Sequence, residues 1–254
     1  MGVSLTANEI VAYLKNSQLP TVLVEGKDDI IIYRNLNLNG YELLKSDCRN
    51  TLFEVFKQKH TIGTPTAFIA DKDTFVYLNI TSAYQGIIFT TGYCVENDLY
   101  EDTHEMIANL LDEAENQLFA ICLDSAAAYC AFELKKLKTD SNYSPTYDIS
   151  FVSTATLDGE GNFTDNFVKK YSFIIPDAAD IEALRENKYR NTRGKYIFEI
   201  FEKIMQIRKN SQGKDSVFYT KKHLWDFAFK NNKILDNPNG KMASIQAQLL
   251  EKTK

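Results

Sequence analysis

The sequence predicts an α/β protein on a mostly parallel sheet, with helical insertions and a helical C-terminal region. Three observations carry this. Short apolar runs, Thr21-Val22-Leu23-Val24, Thr66-Ala67-Phe68-Ile69-Ala70 and Ile87-Ile88-Phe89-Thr90, read as buried strands bounded by turn-forming or charged residues. Segments with apolar residues three and four apart alternate with them, as in βα units on a parallel sheet. Beyond about residue 100, helical spacing takes over.

In chain order, Ser4 or Thr6 can cap a first helix on which Ile10, Val11 and Leu14 share a face. The strand Thr21 to Glu25 follows. Asp28 and Asp29 then open a helix, where carboxylates suit the positive end of the helix dipole. Its run of Ile30, Ile31, Ile32 and Tyr33 predicts burial on more than one side. Tyr41 to Lys45 reads as a weaker strand. Asp47 or Asn50 can cap a helix carrying Leu52, Val55 and Phe56, which Gly63 and Pro65 end. The next two strands close on Asp71-Lys72-Asp73 and, further on, near Tyr93-Cys94-Val95-Glu96-Asn97-Asp98.

From Glu101 to Lys138 the spacing is helical. Thr139 to Tyr147 is a polar linker, Ile149 to Val152 and Phe173 to Ile175 read as short strands, and further helices include Arg190 to Arg208 and Ala243 to Leu250. The expected organisation is a catalytic core over 1–100, a helical insertion with short strands over 101–175, and a helical C-terminal region over 176–254. The aromatic-rich C-terminal helices, with Trp225, Phe227 and Phe229, exceed what a core of that size needs to cover it, so a homodimer is plausible.

The bulk numbers narrow the function. The 254 residues carry 29 basic and 34 acidic side chains, a net charge of -5, which lowers the expectation of promiscuous nucleic-acid binding. Cys48, Cys94, Cys122 and Cys130 form no Cys-x-x-Cys pair and are read as reduced and mostly buried. With no signal pattern and no unbroken run of 18 apolar residues, the expectation is a cytoplasmic protein without a membrane span.

The chemistry is concentrated at strand ends. Glu25 closes one apolar strand, and Asp71 and Asp73 close another. In open α/β sheets, ligands bind beyond the carboxyl ends of the strands. Adjacent parallel strands would bring these carboxylates together, and such a cluster ionises cheaply only beside a cation. Oxygen ligands suit Mg²⁺ or Mn²⁺, which can orient phosphate and activate water. Asp-x-Asp suits the role because alternate residues of an extended chain share a face, with Lys72 pointing away. Asp29, one helical turn beyond Glu25, is either a second ligand or only a partner for the helix dipole. Gly-x-Gly-x-x-Gly and P-loop patterns are absent, which counts against a phosphotransferase.

Val24-Glu25-Gly26-Lys27-Asp28-Asp29 and Ile69-Ala70-Asp71-Lys72-Asp73 together resemble the TOPRIM domain of topoisomerases, primases and OLD-family nucleases, over about the first 100 residues. The resemblance implies a Rossmann-like core, Glu25 as general acid or base, and Asp71 and Asp73 as Mg²⁺ ligands; Glu25 either moves a proton or completes the metal shell as a further ligand. The segment around Glu96-Asn97 is similar to a Glu-Asn element of stand-alone TOPRIM proteins in phage defence, which makes Glu96 a candidate ligand. Arg193-Gly194-Lys195 resembles a Gly-Lys element of related nucleases. Lys195 would then assist at the scissile phosphate, with Arg190 and Arg193 on the backbone. Size and layout are most similar to AriB-type effectors of PARIS systems, toxic nucleases that act on tRNA and are held by an ABC-type ATPase of the AriA kind. The implied function is a Mg²⁺-dependent endonuclease on tRNA, with DNA as the other substrate. The competing reading is an inactive TOPRIM module that regulates an ATPase.

Overall fold

In the computed structural model, the described residues are 4–140, 143–146, 149–185, 187–212, 220–231 and 234–252. In chain order the elements are α1 (Ala7–Asn16), β1 (Thr21–Val24), α2 (Lys27–Tyr33), β2 (Glu42–Lys45), α3 (Arg49–Lys57), β3 (Thr66–Ala70), β4 (Ile88–Phe89) and α4 (Val95–Ala108). They continue as α5 (Glu113–Thr139), α6 (Asp165–Tyr171), α7 (Ala178–Arg185), α8 (Lys188–Asn191), α9 (Gly194–Gln212), α10 (Lys221–Asn231) and α11 (Lys241–Lys252). The chain divides into two units, Met1–Asp102 with Lys233–Lys254, and Thr103–Asn232.

The first unit is the expected α/β core. Its sheet has the order β2-β1-β3-β4, and every pairing is parallel. The whole of β1 is buried, as a central parallel strand covered on both faces requires. Leu23, Phe68 and Ala70 point into a cluster with Ile10, Val11 and Leu14 of α1 and Leu52, Val55 and Phe56 of α3. Val22, Val24, Ala67 and Ile69 alternate to the opposite face, where α2 and α11 pack. Thr6 caps α1 reciprocally with Glu9, whereas α3 starts after Cys48 and takes no side-chain cap from Asp47 or Asn50.

Two features differ from expectation. The region 176–254 does not stay together, because α11 belongs to the first unit. The Asp102 carboxylate accepts the Lys241 and Met242 N–H groups, both at 2.8 Å, and holds the start of α11. The second difference is that Ile149 to Val152 and Phe173 to Ile175 are not strands. Phe151 and Phe173 are buried, but they pack among Phe163, Phe167 and Tyr196 as side chains of irregular backbone. Ile174 and Ile175 stand exposed. Ser141, Asn142 and Tyr147 of the expected linker lie outside the described residues.

The second unit is helical. At its centre is α5, long and apolar enough to pass for a membrane span by length and composition, although more than half of that window is buried. Its Phe119, Cys122, Leu123, Ala126 and Phe132 form core with α7 and α9. The aromatics that prompt the homodimer expectation are partly absorbed here, since Trp225 is buried edge-on to Phe198.

Candidate metal centre

The site grows from the carboxyl edge of the sheet. Because β1 and β3 are parallel neighbours in register Leu23↔Phe68, their next residues, Glu25 and Asp71, emerge side by side. The Asp71 N–H donates to Glu25 Oε1 at 3.0 Å, which fixes the glutamate across the strand gap. From the other side, the Val95 N–H at the start of α4 donates to Asp71 Oδ1 at 3.0 Å. The loop from β4 therefore lowers the first turn of α4 onto Asp71.

That loop is held by its own polar residues. Asp98, fully buried, accepts the N–H groups of Thr91 and Gly92, at 2.9 Å to its nearer oxygen in each case. Burial raises its carboxyl above the usual range while these bonds oppose the rise. Asn97 accepts both the Cys94 N–H at 2.9 Å and the Cys94 thiol at 3.2 Å. Glu96 is thereby placed with 1% exposure, and neither of its oxygens accepts a hydrogen bond. One ligand atom each from Asp71, Cys94 and Glu96 lie within 4.8 Å of one another. A buried carboxylate with no donor is costly unless something neutralises it, so the donor set fits a divalent cation.

Asp73 reaches the site differently from the extended alternation expected. Lys72 is helical and Asp73 has φ 46°, in the left-handed region, so the pair sits on a turn. Lys72 does face away, its Nζ donating to the Thr91 carbonyl at 3.1 Å. Asp29 caps its own helix, accepting the Gly26 N–H at 2.6 Å, and its charge still reaches both Glu25 and Asp71.

Sequence reasoning missed Arg49. This first residue of α3 follows β2, the other neighbour of β1, and so starts at the same sheet edge. Its guanidinium lies 3.6 Å from Glu25 and 3.3 Å from Asp73, and it donates to the Asp71 carbonyl. The rings of Phe75 and Phe53 flank it at 4.8 and 5.5 Å. The signal was available, since the rule that singled out Glu25 and Asp71 also covers the residues after Lys45.

Burial pushes the Glu25 carboxyl up to about 8. Arg49 opposes the shift, and Asp73 and Asp29 add to it. Burial also carries Asp71 well above its usual range, helped by Asp29, Glu25 and Glu96. An acid with a raised folded pKa binds its proton more tightly when folded. The contribution of Glu25 to stability is therefore complete below 4.5 and is lost as pH rises through about 8. Thermal melts in EDTA are expected to fall by several degrees over that window. Glu25→Gln should flatten the slope, and an unchanged slope would contradict the assignment.

Arg190, Arg193 and Lys195 belong to the second unit, at α8 and the start of α9, and all three are partly buried. Arg193 lies over the Tyr196 ring at 5.4 Å. Tyr196 is buried, while Tyr189 is at the surface.

Fold and side chains define a parallel α/β unit with an acidic edge. No protein-family model matches the chain, and no curated protein matches it.

Proposed function

We propose that the chain is a divalent-metal-dependent endonuclease of TOPRIM type, cutting RNA, with tRNA as the favoured substrate and DNA as the alternative. The observation that carries this is the meeting of Glu25, Asp71 and the hydrogen-bond-free Glu96 at one parallel sheet edge. Asp71, Glu96 and Asp73 would hold Mg²⁺ or Mn²⁺, which supplies charge neutralisation for a phosphodiester and a more acidic water. Glu25, whose carboxyl burial pushes upward, is placed to give a proton to a leaving oxygen or to take one from water. Arg49 presents a guanidinium between Glu25 and Asp73, where it can pair with a phosphate oxygen. Arg190, Arg193 and Lys195 would hold the nucleic-acid backbone.

The sequence resemblance supports the biological setting: a toxic effector of anti-phage defence, restrained by an ABC-type ATPase. The test is incubation of the purified chain with tRNA, plasmid and single-stranded DNA, with Mg²⁺, Mn²⁺ or EDTA, beside Glu25→Gln. Cleavage of tRNA that needs the ion and falls by at least about a hundredfold in Glu25→Gln is expected. Cleavage that survives both EDTA and the substitution would overturn the mechanism.

A further inference from the structure

We propose that Cys94 is itself a metal ligand, so that Asp71, Cys94 and Glu96 form a mixed oxygen–sulfur site selective for borderline divalent cations over Mg²⁺. The inference deepens the nuclease reading and rests on the same edge of the sheet, but it concerns which ion that edge takes.

The geometry points to the sulfur for three reasons. First, the Cys94 Sγ shares one 4.8 Å cluster with carboxylate oxygens of Asp71 and Glu96. Around a bound ion with bonds of about 2.0–2.3 Å, such atoms stand roughly 3.5 Å apart, so side-chain rotations of about 1 Å close the site. Second, Glu96 is 1% exposed, neither of its oxygens has a hydrogen-bond partner, and one of them lies within 4.8 Å of both the Cys94 sulfur and an Asp71 oxygen. The single thiol proton is directed at Asn97 Oδ1 at 3.2 Å, which leaves sulfur lone pairs for the cluster. Third, access is graded. Cys94 and Glu96 are buried, at 3% and 1%, while Asp71 is partly open. An ion there would have protein on one side and a solvent-facing position on the other, the arrangement of a catalytic rather than a closed structural site.

The chemical consequence follows from ligand softness. Mg²⁺ demands hard oxygen and near-octahedral geometry, and it keeps its waters. A thiolate favours Mn²⁺, Fe²⁺, Co²⁺ and Zn²⁺ increasingly over it. Binding balances as one Cys94 thiol losing its proton to solvent and one sulfur–metal bond forming, with no change of oxidation state. Asn97 then loses its thiol donor but still accepts the Cys94 N–H at 2.9 Å, so the loop keeps its anchor.

The test reads the sulfur directly. The full chain carrying Cys48→Ser, which removes the exposed background thiol, is titrated anaerobically with Co²⁺. The readout is the thiolate-to-cobalt charge-transfer absorption, which an all-oxygen site cannot produce. A band saturating at one ion per chain is expected, absent in Cys94→Ser and requiring about tenfold or more Co²⁺ in Glu96→Gln. Mn²⁺ should also raise the melting temperature more than equal Mg²⁺, with the difference erased in Cys94→Ser. No band in the folded Cys48→Ser chain, or a band unchanged in Cys94→Ser, would overturn the proposal. The outcomes separate from those of the nuclease reading. Mg²⁺-dependent cleavage without a band sinks the sulfur ligand alone. A Cys94-dependent band in a chain that cuts nothing upholds the site and sinks the nuclease.

Discussion

Asp71→Asn is expected to abolish cleavage and, at the same time, to stabilise the ion-free protein. Asp71 stands where every part of the site meets. Its N–H holds Glu25, its Oδ1 accepts from Val95, and its carboxylate faces Cys94 and Glu96. Asparagine preserves the backbone bond to Glu25 and can still accept from Val95, so the scaffold is retained. The substitution removes one negative charge from a group of carboxylates with little solvent to separate them. Burial and the neighbouring acids hold the Asp71 pKa high, so the folded state resists ionisation there. That resistance weakens folding increasingly as pH rises, and asparagine is exempt from it. In EDTA the gain should be largest at high pH and shrink toward acidic pH. On the proposed mechanism cleavage should fall at least about a thousandfold, because the carboxylate that would hold the ion is gone. Paired measurements decide it: melts in EDTA across pH, and single-turnover cleavage with Mg²⁺ or Mn²⁺. A variant less stable than the parent at high pH would show that Asp71 is a structural anchor first.

Arg49→Ala is expected to have the opposite effect on stability. Arg49 pairs with Glu25 and Asp73, donates to the Asp71 carbonyl and lies between Phe53 and Phe75, with its side chain 19% exposed. Removing one partner of a partly buried ion pair leaves its carboxylates uncompensated, at a cost of about 3 kcal/mol. The loss should be largest without divalent ions. Mn²⁺ or Mg²⁺ should narrow it, since an ion supplies the positive charge the alanine lacks. Activity with the ion present should fall about a hundredfold or more, the scale of losing one charged donor to a phosphate oxygen. Arg49→Lys should recover part of the stability and less of the activity, because lysine keeps the charge but not the planar fork. Equal melting-temperature losses with and without ions would contradict the link between Arg49 and the cation site.

Much of the fold was legible in the sequence. Short apolar runs identified β1, β3 and β4, and the three-and-four spacing identified α1 and α3. Local patterns report such features because a strand or helix buries whichever face its own residues make apolar. Glu25 and Asp71 could be read because they terminate those strands, and parallel neighbours must present their ends together. The irregular chain around Phe151 and Phe173 was misread for the complementary reason. Large aromatics bury equally well without a strand neighbour, so apolarity alone does not select backbone geometry.

What only the tertiary structure decided is which groups share desolvated space. Cys94 carries no local mark of a site, Glu96 is marked only by its resemblance to a Glu-Asn element, and Arg49 stands out only by its place beyond the end of β2. Glu96 looks like any first-turn acid favoured by a helix dipole, Cys94 like a small buried hydrophobe, and Arg49 like a surface cation at a helix start. Their roles appear when the β4 loop, tied by Asn97 and Asp98, lays α4 beside Asp71, and when the end of β2 delivers Arg49 to the same edge. The strands and their acidic ends were thus written locally. The orphaned charge of Glu96 and the thiol beside it arise from chain closure across more than twenty residues, and desolvation, which depends on everything packed around a group, gives them their chemistry.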